Sequence, residues 1–145
     1  MELPVMVTTH APEDTEQVAA RLAALCNAGD CVRLIGDLGA GKTTFARGFI
    51  HALCGKAEEV VSPTFTLAQT YVTRDGRALW HFDFYRIKSS EELKEVGLED
   101  ALATGISLIE WPEIADAWLP KHALTVALAA GADPASRVIS ITSGR

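Results

Sequence analysis

The spacing of apolar residues changes several times along the chain, and each change predicts an element. Leu3 to Thr8 reads as a first strand. Over Thr9–Asn27 the apolar positions Val18, Leu22 and Leu25 fall on one helical stripe. Pro12, Glu13, Asp14 and Glu16 sit at the end where a helix tolerates proline and favours negative charge, and Gly29 closes the segment. Cys31-Val32-Arg33-Leu34-Ile35 is short and mostly apolar, as a strand is. After a glycine-rich interval, Phe45, Phe49, Ile50 and Leu53 return to helical spacing up to Cys54. Phe65–Thr73 and Arg77–Tyr85 are strand-like runs separated by Arg74-Asp75-Gly76, and Asp-Gly between such runs predicts a hairpin. Ser89-Ser90-Glu91-Glu92 opens a helix by capping logic, and Gly97 divides it from a second helix through Ala103. Ile106-Ser107-Leu108-Ile109 is a buried-type strand that delivers Glu110 at its end. Pro112–Trp118 reads as a short helix, and Ala123–Ala129 with Arg137–Thr142 as a closing pair of strands. Helices alternating with strands point to a parallel core, and the hairpin adds antiparallel pairing: an α/β sandwich of three layers around a mixed sheet.

Composition narrows this picture without redirecting it. A chain of 145 residues, 48% hydrophobic and 22% charged, is expected to form a single soluble domain over residues 1–145. No apolar run approaches the roughly 20 residues of a membrane span. Met1–Met6 lacks the basic and long apolar regions of a signal peptide. Cys26, Cys31 and Cys54 are widely spaced and odd in number, which predicts reduced thiols and a cytoplasmic protein. A net charge of −6 argues against a surface that grips nucleic acid by itself, while leaving room for a basic partner that holds it.

The chemistry concentrates at Gly36-Asp37-Leu38-Gly39-Ala40-Gly41-Lys42-Thr43, which fits the phosphate-loop pattern G-x-x-x-x-G-K-[ST] at every fixed position. Glycines let the backbone close around oxygens, and the free N–H groups of the loop and helix start point at an anion. Lys42 reaches β- and γ-phosphates, and the Thr43 hydroxyl supplies one position on Mg²⁺. Strand, loop and helix follow in the order such a site requires. With no Asn-Lys-x-Asp motif for guanine, ATP is the expected nucleotide. The predicted nucleotide contacts are Asp37, Leu38, Gly39, Ala40, Gly41, Lys42, Thr43 and Thr44, with Trp111 either against the base or loop or serving as a core residue.

Hydrolysis needs more than the loop. Asp83 and Glu110 are the acids able to support Mg²⁺ beside Thr43 and to position the attacking water, and the pattern leaves open which does which. Glu110, at the end of an apolar strand, has the more typical setting; the side chain of Asp83, in an alternating strand, could face water. Ser62 or Thr64 could act in a switch segment or merely in a turn. His81 shares a strand face with Asp83 and could orient an acid or a water, or simply pack in the core. Arg47 and Arg86 are candidates for charge neutralisation or plain surface residues.

Four segments together resemble the TsaE (YjeE) family: Gly36–Thr44, Ser62-Pro63-Thr64-Phe65-Thr66-Leu67, His81-Phe82-Asp83-Phe84-Tyr85-Arg86 and Ile109-Glu110-Trp111-Pro112. The resemblance spans nearly the whole chain and is weakest before Leu22 and after Leu119. Phe84 stands where the family more often has leucine, a change of packing alone. The resemblance implies a P-loop NTPase-like fold with a parallel centre and antiparallel flanks. It also implies Mg²⁺-dependent ATP hydrolysis with Lys42, Asp83 and Glu110 as the catalytic residues, and a switch over Ser62–Thr66; turnover by the isolated chain is expected to be slow, a partner being needed to complete the site. Docking to a TsaB–TsaD pair that makes N6-threonylcarbamoyladenosine in tRNA follows from it too, with tRNA held by those partners and this chain a monomer, or weakly self-associating, when alone. Two rivals are a small-molecule or nucleoside kinase, for which the short chain shows no lid, and a nucleotide-sensing binding module with negligible catalysis.

Overall fold

In a computed structural model, which describes residues 1–144, seven strands form one sheet. They are β1 (Val5–Thr9), β2 (Cys31–Ile35), β3 (Ala68–Val72), β4 (Ala78–Asp83), β5 (Ile106–Glu110), β6 (Leu124–Ala130) and β7 (Arg137–Ser143). Their order is β1-β7-β6-β2-β5-β4-β3. The central strand β2 runs parallel to both β5 and β6, and β4 runs parallel to β5. The pairs β1–β7, β6–β7 and β3–β4 are antiparallel. The mixed sheet with parallel centre and antiparallel flanks is thus the observed architecture. Strands β2 and β5 are covered on both faces, which is why their sequences read as nearly unbroken apolar runs.

Two helices, α1 (Pro12–Ala23) and α2 (Lys42–Cys54), lie on one face. Leu22, Phe45, Phe49 and Ile50 bury there against Val32, Leu34, Leu108 and Val126. The two helices touch at Gly48, where a Cβ would stand 2.5 Å from the Glu16 Cα. On the other face, α3 (Ser90–Glu95), α4 (Leu98–Thr104) and a 3₁₀ helix (Pro112–Trp118) cover Phe82 and Ile109 with Leu93, Leu98, Ala101 and Ala115. These are the three layers. Among the described residues no helix is long and apolar enough to cross a membrane.

Several boundaries differ from the sequence reading for identifiable reasons. The first helix is shorter than Thr9–Asn27. Thr9 stays in β1, and Leu25 lies beyond the helix and is exposed, so it adds nothing to the apolar stripe. Strand β3 starts at Ala68, not Phe65, because Leu67 turns the backbone to φ 69° and Phe65 is exposed. Strand β4 stops at Asp83 because its own carboxylate accepts the Tyr85 N–H (2.9 Å), turning the chain. Ser89 precedes α3 with extended backbone but makes no side-chain cap bond. Arg33, inside the apolar run of β2, is almost fully buried. Its guanidinium donates two 2.9 Å bonds to Asp116 of the 3₁₀ helix and one of 2.7 Å to Thr125.

Candidate active site

Because β2, β4, β5 and β6 run in one direction, their C-terminal ends share an edge of the sheet, the edge where open α/β sheets hold ligands. The glycine loop leaves β2 there and enters α2 through Gly41, whose φ of 106° is a left-handed value that glycine adopts freely. The first residue of α2 is Lys42. Its ammonium is buried, donates to the carbonyls of Gly36 and Asp37, and lies 3.8 Å from the centre of the Trp111 ring. Burial holds the Lys42 pKa below its ordinary value, and the negative charges of Glu110 and Asp83 oppose that shift.

Asp83 and Glu110 end adjacent parallel strands and are direct partners across them. Both are largely buried and both line the loop cavity, so neither is a plain surface carboxylate. The Asp83 pKa is raised, chiefly by burial. The Tyr85 N–H works against that, and the nearby Glu110 charge adds to it. Thr64 Oγ1 lies 3.4 Å from Asp83 Oδ2 and 2.8 Å from Ser62 Oγ, so a hydroxyl chain links the Ser62–Thr66 segment to this acid. Glu110 Oε2 is 2.8 Å from His81 Nε2 on β4. Trp111 has φ 54° and ψ 58°, a left-handed backbone rare for a bulky residue, directly before Pro112. It packs against Tyr85, ring centres 4.8 Å apart, as well as on Lys42.

A cavity of about 340 Å³ joins these groups. Of the residues assigned from sequence, Leu38, Gly39, Gly41, Lys42, Thr43, Thr44, Asp83, Glu110 and Trp111 line it. Asp37 and Ala40 instead border a second hollow, on the outer side of the loop against Leu128–Ala130 and Pro134. A roomier hollow between α1 and α2, lined by Glu16, Gly48 and His51 among others, contains none of them. What marks the site is therefore chemistry and not volume: loop amides, one lysine and two buried carboxylates converge.

The oxygens of Thr43, Asp83 and Glu110 are hard donors that suit Mg²⁺, an ion that keeps waters and needs only one or two protein carboxylates beside phosphate. Among the described residues no cluster of three or more His, Cys, Asp or Glu side chains forms a cage for a metal. Any ion held here would thus take much of its shell from a nucleotide and water. Arg86 lies outside the cavity, 4.6 Å from the Phe65 ring centre, and Arg47 approaches Glu16 at 3.9 Å on the helical face. The arginine that does line the cavity is Arg137, unmarked in the sequence reading. Its Nη1 donates to the carbonyls of Pro134 (2.9 Å) and Ser136 (2.8 Å), and its Nη2 to that of Gly39 (3.3 Å). Topology could have revealed it, since β6 ends at the loop edge and β7 must begin there.

Comparison with known proteins gives a consistent result. Residues 9–139 match the model of the family described as threonylcarbamoyl adenosine biosynthesis protein TsaE. A Rickettsia felis protein named tRNA threonylcarbamoyladenosine biosynthesis protein TsaE is 45% identical over 120 residues, 83% of this chain and 67% of that protein. The protein of the same name from Rickettsia conorii is 45% identical, and the matched region covers 65% of its length, just under two thirds. A Bacillus subtilis protein, again of that name, is 38% identical over 91% of this chain and 81% of its own length. The crystal structure of Bacillus subtilis YdiB superposes with a TM-score of 0.80 at 33% identity, covering 100% of this chain and 88% of that one.

Proposed function

The chain belongs to the TsaE family, and from that premise we propose that it is a magnesium-dependent ATPase serving the formation of threonylcarbamoyladenosine in tRNA. Residues 1–145 act as one domain in the cytoplasm, a monomer or weakly self-associating when alone, and work on a TsaB–TsaD-like pair that itself holds the tRNA. The observation that carries this reading is the convergence of Lys42, Thr43, Asp83 and Glu110 on one cavity at the glycine loop.

In this mechanism the loop amides and Lys42 cradle the β- and γ-phosphates of ATP, the ammonium leaving the Gly36 and Asp37 carbonyls for phosphate oxygens. Thr43 and one of the two acids would hold Mg²⁺, which neutralises charge developing on the phosphoryl oxygens. The other acid orients the attacking water. Catalysis then comes from positioning and preorganised charge. The Thr64–Asp83 contact supports a coupling in which the state of the phosphates is felt by the Ser62–Thr66 segment and passed to the partner.

The test is reconstitution. With the TsaB–TsaD-like pair, tRNA, threonylcarbamoyl donor and MgATP, wild-type chain should support repeated rounds of modification, and Lys42→Ala should not. Equal product with the two chains would refute the proposal.

A further inference from the structure

We propose that His81 is a positioning residue for Glu110: its imidazole fixes one carboxylate oxygen so that the other is presented to the water of the hydrolytic reaction. This rests on the ATPase reading above.

The alternation of β4 places His81 and Asp83 on the same face, and both are buried, His81 at 1% exposure. His81 Nε2 lies 2.8 Å from Glu110 Oε2. The other ring nitrogen, Nδ1, is enclosed and has no hydrogen-bond partner among the described residues. A buried N–H with no acceptor is costly, so the ring proton belongs on Nε2, where it is donated to the carboxylate. A leucine would fill this site without leaving a nitrogen idle. The histidine therefore serves Glu110 and not the core.

Glu110 needs such a partner. It stands beside a second buried carboxylate, Asp83, and its negative charge is felt by the Lys42 ammonium. Free to rotate, it would swing to that ammonium and divert it from phosphate. The bond from His81 holds Oε2 back on β4, leaving Oε1 as the oxygen available to a water in the cavity. The pair is inside the sheet, so its geometry is set before nucleotide arrives.

The experiment compares full-length wild type, His81→Leu and His81→Gln. The Gln Nε2 can donate to Glu110 as the imidazole does, and Leu cannot. In single-turnover phosphate release from MgATP with the partner pair present, His81→Leu should lose about 10- to 100-fold, the usual range for an outer-shell partner, with ATP Kd little changed. His81→Gln should recover most of that loss. Nitrogen-15 NMR of histidine-labelled wild type and Glu110→Gln supplies a readout independent of turnover: His81 should carry its proton on Nε2, and that resonance should move in Glu110→Gln.

Wild-type turnover in His81→Leu would overturn the inference. So would His81→Gln as inactive as His81→Leu, or a ring protonated only on Nδ1. Should His81→Leu fail to fold, the glutamine variant and the NMR comparison still decide. If wild type itself releases no phosphate while the NMR pair is intact, the ATPase reading fails and takes this inference with it. Failure of the leucine arm against an active wild type removes this inference alone.

Discussion

Asp83 and Lys42 each occupy a position that costs the fold something. Burial raises the Asp83 pKa above its ordinary 3.8, so the folded protein binds that proton more tightly than the unfolded chain does. Asp83 therefore contributes stability fully only below the unfolded value, and loses it as pH rises through the folded value. Ionising the buried carboxylate weakens the fold. Asp83→Asn should thus melt higher than wild type at pH 7, converge with it below pH 3.8, and lose phosphate release. Thermal melts across that range check the sign; a lower Tm at pH 7 would contradict it. Lys42→Ala should keep the fold and lower phosphate release by about 100-fold or more, since a preorganised cation in a dry site is a large share of such catalysis. At this scale the sequence pattern singled out Gly36–Thr43 and both acids because phosphate chemistry dictates residue type and spacing, and the fold sets Lys42, Thr43 and both acids on one cavity. The His81–Glu110 bond and the contact of Arg137 with the Gly39 carbonyl were not legible there, because each joins residues far apart in sequence.

Among the elements, the 3₁₀ helix bears most directly on the site. It follows Trp111, whose left-handed backbone sets the indole over Lys42, and it is tied to β2 through the Asp116–Arg33 pair. Pro112 is compatible with that geometry, since it fits a first helical position and keeps Trp111 out of the right-handed region. Removing one partner of a buried ion pair typically costs 3–5 kcal/mol. The Asp116 side chain is 35% exposed, so water can partly compensate, and we expect Asp116→Ala to cost about 2 kcal/mol. Urea unfolding measures this. The double variant Arg33→Met with Asp116→Leu should recover most of the loss, because neither charge is then left buried alone. Elements with strong periodicity were readable from sequence: β2 and β5 fall where their apolar runs predict. Residues 65–67 were not, since Phe65 and Leu67 are apolar yet lie in an irregular segment whose path is set by turns and by contact with Asp83.

At the level of the whole molecule, the sheet brings the phosphate loop, both acids and the start of β7 to one edge, where the first turn of α2 adds Lys42, Thr43 and Thr44. Binding at that edge should stabilise the entire fold by linkage. At 100 times Kd the gain is about 2.7 kcal/mol. For a chain of this size that corresponds to a rise in Tm of about 5–10 °C with MgATP. Differential scanning fluorimetry should show the shift in wild type and Glu110→Gln, and a much smaller one in Lys42→Ala. The acidic balance of the chain, −6, argues against a surface that grips tRNA by itself. The mixed topology was foreseeable from the hairpin and the alternating helices. Nothing in local spacing gave the strand order, which is decided by which apolar faces bury together.

The most direct measurement of the central claim is phosphate release from saturating MgATP by wild type and Glu110→Gln, assayed side by side with the partner pair present. Wild type should release phosphate steadily, and the variant should bind ATP with comparable affinity but scarcely hydrolyse it. Equal release by the two chains would show that the cavity at the glycine loop is not where ATP is cleaved in the way described.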